Sequence, residues 1–144
     1  MEESIIRYVH FVGIILLSAM LIAENIHFSK HLKDGVINHL AVIDRFYSLG
    51  ILITLGAGLF LWFSVGKPVE FYSRNIIFHV KLSLFLLLAI LSLMSTIFLL
   101  KNYKCKSPSI TVPKYLLFIK RIELIFLFIL PLLSVLIARG IGNA

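Results

Sequence analysis

Residues 10–27 read HFVGIILLSAMLIAENIH, an almost wholly aliphatic run with a histidine at each end and a carboxylate, Glu24, just before the second. Such a run decides the fold, because a hydrocarbon layer about 30 Å thick is crossed by roughly 20 apolar residues in helical conformation. Three more follow, and the spans read Ile5 to Phe28, Val36 to Val65, Asn75 to Leu100 and Tyr115 to Arg139. The composition agrees: 60% of residues are hydrophobic and 15% charged, and the mean hydropathy of +1.01 lies outside the range of soluble domains. The expected fold is all-α, an integral membrane four-helix bundle running up-down-up-down. The spans and their connections use up residues 1–144, so a single domain is expected. The acidic start MEES and the length of the first run mark it as a retained span rather than a signal peptide.

Bases concentrate in the loops after the first and third helices, at Lys30, Lys33, Lys101, Lys104, Lys106 and Lys114, while Glu2, Glu3 and Glu70 lie on the other side. Because Lys and Arg stay on the cytoplasmic side, both termini of this multi-pass chain are expected to be extracytoplasmic. The net charge of +7 then belongs to loops that face anionic lipid, so the bilayer is an expected partner and nucleic acid is not. A homo-oligomer or a membrane-protein partner is compatible with the chain. Cys105 is the single cysteine, which excludes an intrachain disulfide and a cysteine-pair zinc site. No metal site is expected, and there is no hydrolase motif or glycine-rich phosphate loop. Gly50, Thr54 and Gly58 recur every four residues, the spacing of a close helix contact.

The ionisable residues inside the spans fall into two layers. At about 1.5 Å per residue, His10, His79, Lys81 and Arg139 share an outer level, and Glu24, Asp44, Arg121 and Glu123 an inner one. The uncharged run from Leu124 to Ala138 would cover only about 22 Å, so the fourth helix must draw the preceding KRIE inward, where a buried base needs a carboxylate. A buried charge cluster of Glu24, Asp44, Arg121 and Glu123 is therefore expected, serving either as a structural salt bridge or as a proton or substrate relay. His10 and Glu24 are 14 residues apart, nearly four turns, and so share a face; His79 and Lys81 diverge by about 200°, so only one can face the bundle centre.

The segments ENIHF, DRFYSLG, GKPVEFYSRN, HVKLSLF and RIELIFLFILPLLSVLIARGIG together resemble a family of bacterial four-helix membrane proteins, domain of unknown function 2214, over nearly the full length. The resemblance implies a bacterial inner membrane protein. It marks His10, Glu24, Asp44, Gly66, Lys67, Tyr72, Lys81, Glu123, Arg139 and Gly140, and it brings no activity. More distantly, YVH and FHVKL are similar to J-type protoporphyrinogen oxidases and copper-resistance D-type membrane proteins. In the former this implies haem binding, with His10 and Lys81 as the key positions.

Two functional expectations follow, with a purely structural membrane subunit as a third. The first is a small redox or cofactor-handling protein that binds haem b through His10, with His79 as second ligand and Lys81 and Arg139 pairing the propionates. If the chain is an enzyme, it is an oxidoreductase. The second is a carrier or assembly subunit in which the inner layer handles protons, metal ions or a small molecule.

Overall fold

The computed structural model describes residues 1–33, 35–103 and 109–143. Cys105, with Lys104 and Lys106, lies outside the described residues. Four long helices carry the fold: α1 (Glu2–His27), α2 (Val36–Phe60), α4 (Ile76–Asn102) and α5 (Lys114–Ala138). Each is long and apolar enough to cross a membrane. α1 begins three residues before the expected Ile5, since Glu2 and Glu3 suit the positive end of the helix dipole and Glu3 pairs with Arg7 one turn on.

To this helical frame the structure adds, among the described residues, four short elements. α2 runs on as a π-helical turn, Leu61–Val65, and a five-residue helix, α3 (Val69–Ser73), precedes α4. The loops after α1 and α4 pair as antiparallel strands, β1 (His31–Lys33) and β2 (Ser109–Thr111), with His31 opposite Thr111 and Lys33 opposite Ser109. The pairing satisfies backbone groups that loops leave open at helix ends, and Val112 N–H extends it by donating to Lys30 O at 2.8 Å. Strand alternation turns Leu32 inward and His31 and Lys33 outward. The bundle thus has a strand end and an end that carries both termini.

α1 packs along α2 and α4 along α5, and the α1–α5 and α2–α4 contacts close the ring. The α1–α2 seam is the tightest. A Cβ on Gly50 would lie 2.7 Å from Leu17 N, and one on Gly13 would lie 2.7 Å from Thr54 Oγ1. In lipid, where apolar side chains gain nothing by leaving an equally apolar solvent, such backbone proximity supplies the dispersion contacts that hold helices together.

The interior is layered. At the strand end Phe28, Leu32, Leu40, Leu99, Val112 and Leu116 form one buried apolar cluster. Further in, Leu17, Leu21, Tyr47, Ile51, Leu88 and Leu130 form another. Every long helix changes character between the two: Glu24 on α1, Asp44 on α2, Ser92 and Ser95 on α4, and Lys120 and Glu123 on α5 are all buried there.

At the terminal end, Asn75 caps α4. Its Oδ1 accepts from Ile77 N at 2.9 Å and Phe78 N at 3.2 Å, and its Nδ2 donates to Ile141 O at 3.1 Å. The last turn of the chain is thereby folded back onto the start of α4. Gly142 allows it, with φ +93° and a position where a Cβ would meet Asn75 Oδ1 at 2.7 Å.

Candidate functional site

The polar layer between the two apolar clusters centres on Lys120. Its ammonium pairs with Glu24 across the α1–α5 contact and with Glu123 one turn along α5, at 2.9 Å from Glu123 Oε2. It also lies 4.9 Å from the centroid of the Tyr47 ring, an added cation–π contact. The burial is complete: Glu24, Glu123 and Tyr47 are 0% exposed and Lys120 is 1% exposed. Asp44 is close enough to Glu24 to act on its carboxyl. α4 contributes space rather than charge, because the Ser92 and Ser95 hydroxyls turn back to donate to Ala89 O and Ser92 O on their own helix.

The site holds three carboxyl groups, Glu24, Asp44 and Glu123, around one buried ammonium. Several of their atoms are unsatisfied. Among the described residues, Asp44 Oδ1, Glu123 Oε1 and the Tyr47 hydroxyl have no hydrogen-bond partner, whereas the Glu24 and Asp44 carboxyls hydrogen-bond to each other. Buried polar groups normally find partners, so a cluster with this many open acceptors and one open hydroxyl has capacity for a further donor or cation.

The geometry corrects the expected base. Arg121 is exposed, and Lys120 occupies the interior. Neighbouring residues on a helix diverge by about 100°, so only one of KR can face the carboxylates, and Lys120 stands one turn before Glu123 on the inward face. Tyr47, Ser92 and Ser95 join the layer without having been expected there. The small polar pair on α4, flanked by Leu88 and Leu99, was the available signal.

A crevice of about 320 Å³ between α2 and α4 reaches this layer from the side. Asp44 lies at its inner wall; Leu49, Leu52 and Leu100 line it, and Arg45 and Thr96 complete it. The Arg45 guanidinium lies 5.2 Å from the centroid of the Tyr103 ring at the end of α4.

At the terminal end the four expected residues separate. His10 is half-buried in the α1–α2 seam, with Nδ1–H donating to Thr54 O at 3.0 Å and Gly58 making room for the ring. Lys81 is half-buried and close enough for its charge to act on His10. His79 is exposed and turned away, its Nε2–H donating to Ser73 O at 2.7 Å. The pairing of His10 with His79 is therefore corrected: of the two α4 residues it is Lys81 that turns toward α1. Arg139 is exposed just beyond α5. Among the described residues no three His, Cys, Asp or Glu side chains are placed to hold a metal ion.

The family model described as a predicted membrane protein, domain of unknown function 2214, matches residues 2–142. No curated protein and no solved structure matches the chain, the J-type protoporphyrinogen oxidases and copper-resistance D-type proteins included.

Replacing Lys120 by Met should leave three buried carboxyl groups without their cation and cost on the order of 3–5 kcal/mol of stability. Arg121→Leu, at an exposed position, should stay within about 0.5 kcal/mol of wild type. Unfolding of the detergent-purified variants checks both, and equal effects would return Arg121 to the interior.

Proposed function

We propose that this chain, which belongs to the domain-of-unknown-function 2214 family of predicted membrane proteins, is a carrier-type membrane protein whose interior site takes up and gives up positive charge. The observation that carries the reading is the single buried Lys120 among Glu24, Asp44 and Glu123. With every group ionised the layer holds two more negative charges than positive ones. Net charge in an apolar interior is costly, so protons or an organic cation are the natural complement. A structural clasp needs only one carboxylate per ammonium; the additional acids and their open acceptor atoms favour exchange. A metal-ion version has less support, since no trio of ligands among the described residues is placed for it.

Proton exchange is tested by infrared difference spectra of the protein in lipid across a pH jump. A carboxyl band from an apolar environment should appear, and Asp44→Asn or Glu123→Gln should remove or shift it. A wild-type protein whose interior carboxyls do not respond at any pH at which it stays folded would make the layer a permanent ion pair and end this reading.

The basic loops favour a strand end that faces the cytoplasm and termini that face outward, in what the family resemblance makes a bacterial inner membrane. A membrane-impermeant maleimide should then label Cys105 only after intact cells are permeabilised. Efficient labelling of intact cells would invert the topology.

A second reading places haem b or a similar flat cofactor at His10. Its support is the Thr54 hydrogen bond, which in the neutral ring leaves the lone pair on Nε2, the tautomer fixing that ligating histidines use. His79 cannot serve as the partner in this arrangement, and Lys81 is the neighbouring cation. Protein expressed with haem precursor should show a His10-dependent visible spectrum unaffected by His79→Ala; a colourless wild type removes the reading.

A further inference from the structure

Buried apolar clusters flank the interior charge layer on both sides. Phe28, Leu32, Leu40, Leu99, Val112 and Leu116 lie toward the strand end, and Leu17, Leu21, Ile51, Leu88 and Leu130 lie toward the termini. A lateral crevice between α2 and α4 reaches a member of the layer. Its mouth lies among residues exposed on the outer surface of membrane-spanning helices, Leu49, Leu52 and Leu100, so what meets it is the hydrocarbon of the bilayer. Its inner wall is Asp44, 3% exposed, with Oδ1 unpartnered among the described residues.

A largely apolar passage that ends at a buried carboxyl with one unpartnered oxygen sorts ligands by two properties at once. The ligand must partition into lipid to arrive, and it must carry positive charge to complement Asp44 and the acid excess behind it. We infer that the α2–α4 crevice binds an amphiphilic organic monocation, its charged group at Asp44 and its apolar body along Leu49, Leu52 and Leu100. This deepens the charge-exchange reading and rests on it, because the acids that complement the cation are the same ones.

Two competing occupants fit less well. An anionic lipid would bring its phosphate beside Asp44, and the one base on the crevice wall, Arg45, is already directed to the Tyr103 ring. An acyl chain alone would fill the apolar wall and leave Asp44 Oδ1 open. Arg45 therefore works against a cation and should be dispensable for binding one.

The test uses the full chain in detergent and tetraphenylphosphonium as probe, with tetraphenylborate as the size-matched anion, both measured by equilibrium dialysis. Tetraphenylphosphonium should bind saturably, at about one per chain, and Asp44→Asn should weaken it on the order of tenfold or more, as loss of a buried charge partner does. Arg45→Gln should bind at least as tightly as wild type. Leu52→Trp, which narrows the mouth from an exposed position, should weaken binding too, and it decides the question with the borate comparison if Asp44→Asn does not fold. Equal binding of the borate, or phosphonium binding unchanged in Leu52→Trp and in any folded Asp44→Asn, overturns the inference. Proton release on binding separates it from the parent reading. Phosphonium bound at Asp44 with no proton released keeps the cation site and removes proton exchange, whereas a pH-responsive carboxyl band with no phosphonium binding does the reverse.

Discussion

One ammonium held among three carboxyl groups, out of reach of water, is the constraint around which the rest of the molecule is arranged. Lys120 must keep Glu24 and Glu123 in contact, since a lone buried charge of either sign is unaffordable in hydrocarbon. That requirement fixes the rotation of α1 and α5 about their axes. It also explains why α4 presents Ser92 and Ser95 at the same level, where a leucine would fill the space the charged side chains need. The apolar clusters on either side then keep the surroundings dry, which strengthens every attraction within the layer and raises the cost of any group left open.

Buried ion pairs are poor stabilisers. Replacing such a pair with apolar residues of similar volume often leaves a protein as stable or more so, and a lipid-embedded bundle gains even less from desolvating charge. The Gly13–Thr54 and Leu17–Gly50 contacts already hold α1 against α2 without electrostatic help. The charged layer is thus consistent with the proposed exchange, and the α2–α4 crevice gives that exchange room to occur.

Helix number and span were legible in the sequence because membrane thickness sets them directly. Depth was legible too, since rise per residue places Glu24, Asp44 and Glu123 at one level. Rotation about the helix axis was not. In a soluble helix the apolar stripe points to the core, but in α5 the lipid-facing residues Phe118, Ile125 and Phe128 are as apolar as the buried Leu116, Ile119 and Leu130. Nothing in the pattern says whether Lys120 or Arg121 faces in. The same ambiguity separated His79 from Lys81; there the Asn75 cap and the Ser73 carbonyl fix the outward turn of His79. The strands were invisible for a different reason. Three-residue segments have no periodicity to read, and their pairing joins residues about 80 positions apart.

The β1–β2 pairing has a mechanical consequence. It ties the loop of the α1–α2 hairpin to the loop of the α4–α5 hairpin, while the π-helical turn and α3 join the same two hairpins covalently at the other end. A pair of rods fastened at both ends cannot open like scissors, so the rocking of two halves seen in alternating-access transporters would have to break the ladder. What the fastening leaves free is bowing and twist between the two fastened ends. Under the proposed exchange, traffic to the charged layer would pass through breathing of one flank while the two ends stay fastened.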